Sequence, residues 1–192
     1  MTQRALGTLA AIAAILVCGA VVVAGLHQAA RDATLPLSDS GIIREQAAAK
    51  QLDPALIAAV IYAESKFEPR TSPTGAEGLM QIEPATAEFL ARRSGGYRFT
   101  TSDLATSSVN VAYGSYYLRY LLDHYGGSEM PAVAAYNAGL ANVDKWVVKA
   151  HGEGGQLAVS EIPFPETRAY VQRVLSAQRA YRTTYAKQLG LS

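Results

Sequence analysis

Apolar and polar positions divide the chain into three stretches. Residues 5–26 form a run of 22 residues rich in Ala, Val, Ile and Leu, with no polar face. As a helix this run would be about 33 Å long, enough to cross the hydrocarbon core of a bilayer. Residues 28–40 mix Gln, Arg, Asp, Thr and Ser with few apolar residues, and Pro36 and Ser38-Asp39-Ser40 disfavour a continuous helix. That segment reads as a linker. From residue 41 onward there is no sustained period-2 alternation and there are few β-branched runs, so residues 41–192 are expected to be mainly α.

Helix punctuation supports this. Asp53-Pro54 supplies an N-cap and a proline at the first helical position, predicting a helix over 54–65. Glu83-Pro84 repeats the device before a helix over 85–93, which Gly95-Gly96 ends. Ser107 or Ser108 opens a longer helix through Tyr125, with Gly126 as terminator. Pro131 opens a short helix to Asn137 or Ala138, and 141–150 is helical before the glycine-rich break at 152–155. Pro165 begins a last helix that runs to about Leu189. Seven or so short helices without an internal repeat suggest one compact all-α domain, long enough to bury a core.

Charge narrows the classes of function. Lys and Arg number 17, Asp and Glu 16, for a net charge of +1, which argues against a nucleic-acid partner. The only charged residue before Arg31 is Arg4, which precedes the apolar run and favours an amino terminus in the cytoplasm. Residues 1–27 therefore read as a transmembrane anchor or a signal segment. Val22-Val23-Ala24 and Val23-Ala24-Gly25 are loose cleavage sites. Either way the remainder lies outside the cytoplasm, held by a single pass or released to the periplasm or medium. A lone cysteine, Cys18, excludes a disulfide framework and a zinc-finger cluster. His27, His124 and His151 are too scattered for a metal site, so neither metal nor cofactor is expected.

The most informative residue is Glu64. Leu56, Ile57, Val60 and Ile61 form an apolar stripe, and Glu64 extends it by one turn. A carboxyl there is partly desolvated, which raises its pKa and suits it to general-acid work. The plain alternative is a frayed helix end, with Glu64 in solvent or paired with Lys66 or Arg70. Pro69, Ser72, Pro73, Gly75 and Gly78 then mark an irregular loop leading into Gly78-Leu79-Met80-Gln81. Gln81 offers both donor and acceptor to a sugar. Tyr113, Tyr116, Tyr117 and Tyr120 share one helix; such a row packs a core more often than it lines a groove. Tyr136 and Asn137 instead sit at a helix end beside Gly139.

Together these residues resemble a known family. Glu64-Ser65, Ser72-Pro73-Thr74-Gly75-Ala76 and Gly78-Leu79-Met80-Gln81 look like the first motifs of the soluble-lytic-transglycosylase type of peptidoglycan enzyme. Ala135-Tyr136-Asn137-Ala138-Gly139 resembles its third motif. Ile162-Pro163-Phe164, Glu166-Thr167-Arg168 and Tyr170-Val171 resemble its last. The resemblance implies a lysozyme-like, mainly α domain with a groove for a peptidoglycan glycan strand. It implies that Glu64 is the catalytic acid and base, and that Ser72, Gln81, Tyr136, Asn137 and Glu166 line the groove. It also implies non-hydrolytic cleavage between N-acetylmuramic acid and N-acetylglucosamine with 1,6-anhydro ends. The partners expected are peptidoglycan glycan strands, the membrane through the amino-terminal apolar run, and a cell-wall assembly complex. Glu83 departs from the pattern, standing where some members have methionine. Two alternatives stay open: a lysozyme-type hydrolase using Asp103, Glu77 or Glu83 to activate water, and a non-catalytic peptidoglycan-binding module.

Overall fold

The computed structural model describes Gly19 and residues 35–95, 99–152 and 154–191. The chain divides into two compact units, Met1–Pro36 and Leu37–Ser192, and the fold described is that of the second. The expected membrane or signal helix lies outside the described residues. Among the described residues no helix is long and apolar enough to cross a membrane.

Among the described residues eight helices and a two-stranded hairpin follow one another: α1 (Ser40–Lys50), α2 (Pro54–Ser65), β1 (Arg70–Thr71), β2 (Glu77–Gly78), α3 (Pro84–Ser94), α4 (Ser107–His124), α5 (Glu129–Ala138), α6 (Leu140–Gly152), α7 (Pro165–Thr184) and α8 (Ala186–Leu189). Short 3-10 turns, Thr101–Ala105 and Val159–Glu161, precede α4 and α7. Asp53 caps α2 as its spacing predicts, its Oδ1 accepting from the backbone N of Ala55 at 3.0 Å. Glu83 occupies the equivalent place before α3 but makes no side-chain cap bond. Its extra methylene removes the short reach that favours Asp, Asn, Ser and Thr at that position.

α2 is the centre of the domain and packs along α7 more extensively than any other pair of elements. Residues 55–61 are all buried, including Leu56, Ile57, Val60 and Ile61. This corrects the single-stripe expectation: the helix is surrounded on every side, as continuous apolar content over two turns allows. Full burial of those four side chains contributes about 1.5–3 kcal/mol each. At the amino end of α2, Asp53 Oδ2 accepts from Gln178 Nε2 (2.7 Å) and Arg182 Nε (3.0 Å), both on α7.

Three elements differ from the sequence expectation. α1 has no proline at its start and Gln51 instead of glycine at its carboxy-terminal cap, and it buries only Ile43 and Ala47, so its pattern is faint. β1 and β2 pair antiparallel with Arg70 opposite Gly78 and Thr71 opposite Glu77; two residues are too few to show alternation. The last expected helix breaks at Tyr185, whose φ of −121° leaves the helical region.

Candidate active site

The carboxy-terminal turn of α2 is where this buried helix reaches the surface. Tyr62, Ala63 and Glu64 are half-buried, and Ser65 is buried again. Ser65 shares its hydroxyl proton between the carbonyl oxygens of Ile61 (3.1 Å) and Leu79 (2.7 Å), joining the helix end to the loop after β2. Lys66 and Phe67 then take left-handed φ values of 53° and 65°, which turn the chain sharply into β1.

That loop is fixed from behind. Asn110 on α4 is fully buried, and its Oδ1 accepts from Met80 N at 2.8 Å. Its Nδ2 donates to the carbonyls of Glu77 (2.7 Å) and Leu104 (3.1 Å). Gly78 has φ 75°, and a Cβ there would lie 2.3 Å from Asn110 Nδ2. On α4, a Cβ at Gly114 would lie 2.4 Å from Met80 Sδ. Only glycine at these two positions lets Met80 and Asn110 pack so closely.

Gln81 follows with φ 47°, a left-handed conformation that a non-glycine residue adopts only under constraint. Its Nε2 donates to the carbonyls of Arg70 (2.8 Å) and Gly78 (2.9 Å). Both amide protons are therefore committed to the loop. The expectation that Gln81 offers a donor and an acceptor narrows to the acceptor Oε1. Ser72 Oγ accepts from Ala76 N at 2.9 Å and lies 2.9 Å from Thr74 Oγ1, bracing the hairpin turn.

The Glu64 carboxyl receives a hydrogen bond at Oε1 from the Tyr170 hydroxyl of α7, at 2.7 Å. Burial pushes the Glu64 pKa up to about 7, against the opposing pull of the Tyr170 bond and then of the Arg173 and Arg70 charges. Tyr170 is buried, and its own value is raised well above the ordinary phenol range, by desolvation first and then by the Glu64 charge. Arg70 donates to the backbone carbonyl of Glu64 at 2.8 Å. Lys66 is exposed at the helix cap.

Tyr136, at the end of α5, donates its hydroxyl to the Met80 carbonyl at 3.0 Å. Part of its ring is exposed, but the hydroxyl is deep enough that burial, followed by the Glu64 and Tyr117 charges, raises its pKa well above the ordinary value. Asn137 Oδ1 accepts from Thr167 Oγ1 at 2.7 Å, tying α5 to the start of α7. Glu166 is exposed in the first turn of α7.

Glu64, Ser72, Gln81, Tyr136, Asn137 and Glu166 all line one open cleft of about 600 Å³, with Arg70, Glu83, Thr86 and Tyr117 completing its walls. A second cleft of about 630 Å³ lies around His124, His151 and Leu157, and among the described residues no carboxylate lines it. Among the described residues no group of three or more His, Cys, Asp or Glu is arranged to hold a metal.

The row Tyr113, Tyr116, Tyr117 and Tyr120 is half-buried, not core, which overturns the more usual reading of such a row. Gly114 and Ser115 turn the fully buried face of α4 inward and leave the tyrosines on its flanks. Two residues that shape the site were not among the expected ones. Tyr170 is signalled by its i, i+4 relation to Glu166, and Asn110 by being a lone amide between valines.

Comparison with known proteins agrees with this geometry. Residues 41–158 match the family described as the transglycosylase SLT domain, and residues 161–192 match the soluble lytic transglycosylase helical domain. The soluble lytic murein transglycosylase of Escherichia coli K12 is 34% identical over 151 residues, covering 77% of this chain and 23% of that protein. The membrane-bound lytic murein transglycosylase C of Salmonella paratyphi B is 32% identical over 164 residues, covering 74% of this chain and 46% of that protein. The crystal structure of the 70 kDa soluble lytic transglycosylase from E. coli superposes with a TM-score of 0.74 at 30% identity, covering 82% of this chain and 26% of that one. An inactive mutant of the lytic transglycosylase Slt from Pseudomonas aeruginosa gives 0.72 at 32% identity, covering 82% of this chain and 25% of that one. The chain thus spans about a quarter of the length of its soluble relative. With most of its length matched and a similar overall fold, it belongs to the transglycosylase SLT domain family.

Proposed function

We propose that this chain is a peptidoglycan lytic transglycosylase that cleaves the β-1,4 bond between N-acetylmuramic acid and N-acetylglucosamine without water. The observation that carries the proposal is the Glu64 carboxyl, held near pKa 7 by burial in the wall of an open cleft and hydrogen-bonded by Tyr170. An acid poised there gives and takes a proton with little penalty in either direction at neutral pH.

Glu64 gives its proton to the glycosidic oxygen as the bond from muramoyl C1 to that oxygen breaks, and the glucosamine leaves with a free hydroxyl. The substrate's own acetamido oxygen stabilises the cation at C1. The Glu64 carboxylate, steadied by Tyr170, then takes the proton of the muramoyl C6 hydroxyl as that oxygen bonds to C1. The ring closes to the 1,6-anhydro product and Glu64 ends as it began. Intramolecular attack draws its advantage from proximity. Ser72, Asn137, Glu166 and the free Oε1 of Gln81 are the proposed sugar contacts, with Tyr136 orienting the floor through Met80. A similar 70 kDa soluble lytic transglycosylase solved in complex with bulgecin A supports ligand binding on this frame. The apolar stretch over residues 5–26 suits action outside the cytoplasm, as an anchor or an export signal.

A hydrolase would need a second carboxylate to activate water. Asp103 Oδ2 accepts from Thr100 N at 2.8 Å and Glu77 accepts from Thr71 at 3.0 Å, and neither lines the cleft. Glu83 does line it, so mass spectrometry of released muropeptides is the deciding test. Anhydro ends are lighter by one water than hydrolysed ends. Hydrolysed ends would replace this proposal with a muramidase, and binding without release would leave a non-catalytic module.

A further inference from the structure

The cleft has an aromatic continuation that the reaction itself does not use. Tyr136 and Tyr117 both line the cleft, with ring centres 5.3 Å apart. Tyr117 runs near-parallel to Tyr120 at 6.4 Å and 16°. Tyr120 meets the edge of Phe89 at 5.5 Å, and the Arg93 guanidinium lies 4.9 Å from the centre of its ring. The spacing explains the line. On α3, Thr86, Phe89 and Arg93 are at i, i+3 and i+7, while Tyr113, Tyr117 and Tyr120 repeat that face on α4. Thr86 lines the cleft, so both helices carry one continuous face from the cleft outward.

Arg93 ends this row in an unusual state for a surface arginine. Its neighbour Arg92 takes Glu88 at 3.7 Å. Arg93 is exposed and has no ion-pair partner among the described residues; the tyrosine face is what positions it. Stacking on an aromatic ring fixes the guanidinium plane and leaves its N–H donors directed sideways. A preset, unpaired fork of donors suits a carboxylate, which it can bind through two parallel hydrogen bonds.

We propose that Arg93, seated on Tyr120, is an outlying subsite for the acidic peptide stem carried by a muramic acid beyond the reacting bond. The proposal rests on the transglycosylase reading above. Peptidoglycan is a glycan whose muramic acids carry peptides with free carboxylates, ionised at neutral pH. The aromatic row seats Arg93 at a fixed distance from the cleft, where it reads whether the next stem is present.

The test uses the full chain, purified in mild detergent, on two substrates: glycan strands bearing their stems, and the same strands stripped of peptide by an amidase. KM and kcat for release of chain ends are measured at low and physiological salt. Arg93→Gln should raise KM on stem-bearing strands about threefold and Arg93→Glu about tenfold, with kcat unchanged, as for an exposed charge pair held by an aromatic face. On stripped strands both variants should match the wild type. Tyr120→Ala should behave like Arg93→Gln, and Tyr120→Phe, which keeps the ring, should not. The KM effect should shrink as salt rises. Unchanged KM on stem-bearing strands, or equal changes on both substrates, overturns the proposal. If the wild type cleaves neither substrate, the transglycosylase reading falls instead. Equilibrium binding then decides the stem site, which is refuted if Arg93→Glu binds stem-bearing strands as tightly as the wild type.

Discussion

Replacing Glu64 by Gln tests the central physical claim, because it should change stability and activity in opposite directions. The carboxyl has an ordinary value of 4.5 and a folded-state value of about 7, raised by burial. Between those two pH values the unfolded chain has lost this proton and the folded chain keeps it. Folding there is linked to proton uptake, so stability is full below about pH 4.5 and falls as pH rises to about 7. At 1.36 kcal/mol per unit the whole loss is a little over ~3 kcal/mol, and partial exposure of the group in the cleft reduces it to about 2–3 kcal/mol. Gln keeps the shape and can still accept from Tyr170, but it never ionises. Any cost of its amide protons near Arg70 and Arg173 is independent of pH. The difference in unfolding free energy, variant minus wild type, should therefore rise by about 2–3 kcal/mol between pH 4.5 and pH 8. Urea denaturation at closely spaced pH values measures this, while muropeptide release by the same samples should be abolished. A difference that stays flat with pH would mean that Glu64 ionises as an ordinary surface carboxyl, and the argument for its acid role would fail.

Three further outcomes are expected. Tyr170→Phe removes the bond that holds the Glu64 value down, so the alkaline limb of the pH–rate profile should move upward; an unmoved limb would separate Tyr170 from the acid. Asn110→Ala should cost about 2–4 kcal/mol, because it strips the buried Met80 N–H and Leu104 carbonyl of this partner and takes one of two from the half-buried Glu77 carbonyl, and this is readable as a lower urea midpoint. It should also slow cleavage, and full activity in a destabilised variant would show that the loop does not position the acid. Gly114→Ala should destabilise by about 1–3 kcal/mol by driving a methyl into Met80, and Met80→Ala in the same chain should recover part of that loss.

Much of this arrangement is legible in the sequence for identifiable reasons. Asp53-Pro54 marks the start of α2 because a short carboxylate and a fixed φ do a local job that needs no tertiary partner. Glu64 stands out because a carboxylate ends an apolar run. The role of Tyr170 is not legible in that way, since its partner is 106 positions away and only the packing of α7 on α2 brings them together. The committed amide protons of Gln81 are equally invisible, because they follow from a left-handed φ that side-chain type does not disclose. The tyrosines on α4 mislead for a related reason. Their spacing is real, but which flank of a helix meets solvent depends on Gly114 and on Met80, which comes from another part of the chain.

α7 runs antiparallel to α2 and holds it at two points, Asp53 through Gln178 and Arg182, and Glu64 through Tyr170. One helix thus acts as a splint for the other, and the Glu64 carboxyl is one of the two places where hydrogen bonds fasten it. Loosening the splint releases the acid and opens the core in a single event. Heat or denaturant should then extinguish catalysis along the same curve as global unfolding, with no inactive but folded stage before it. The same coupling sets an engineering limit: residues beyond Pro165 cannot be trimmed away without taking Glu64, the proposed proton donor, out of register.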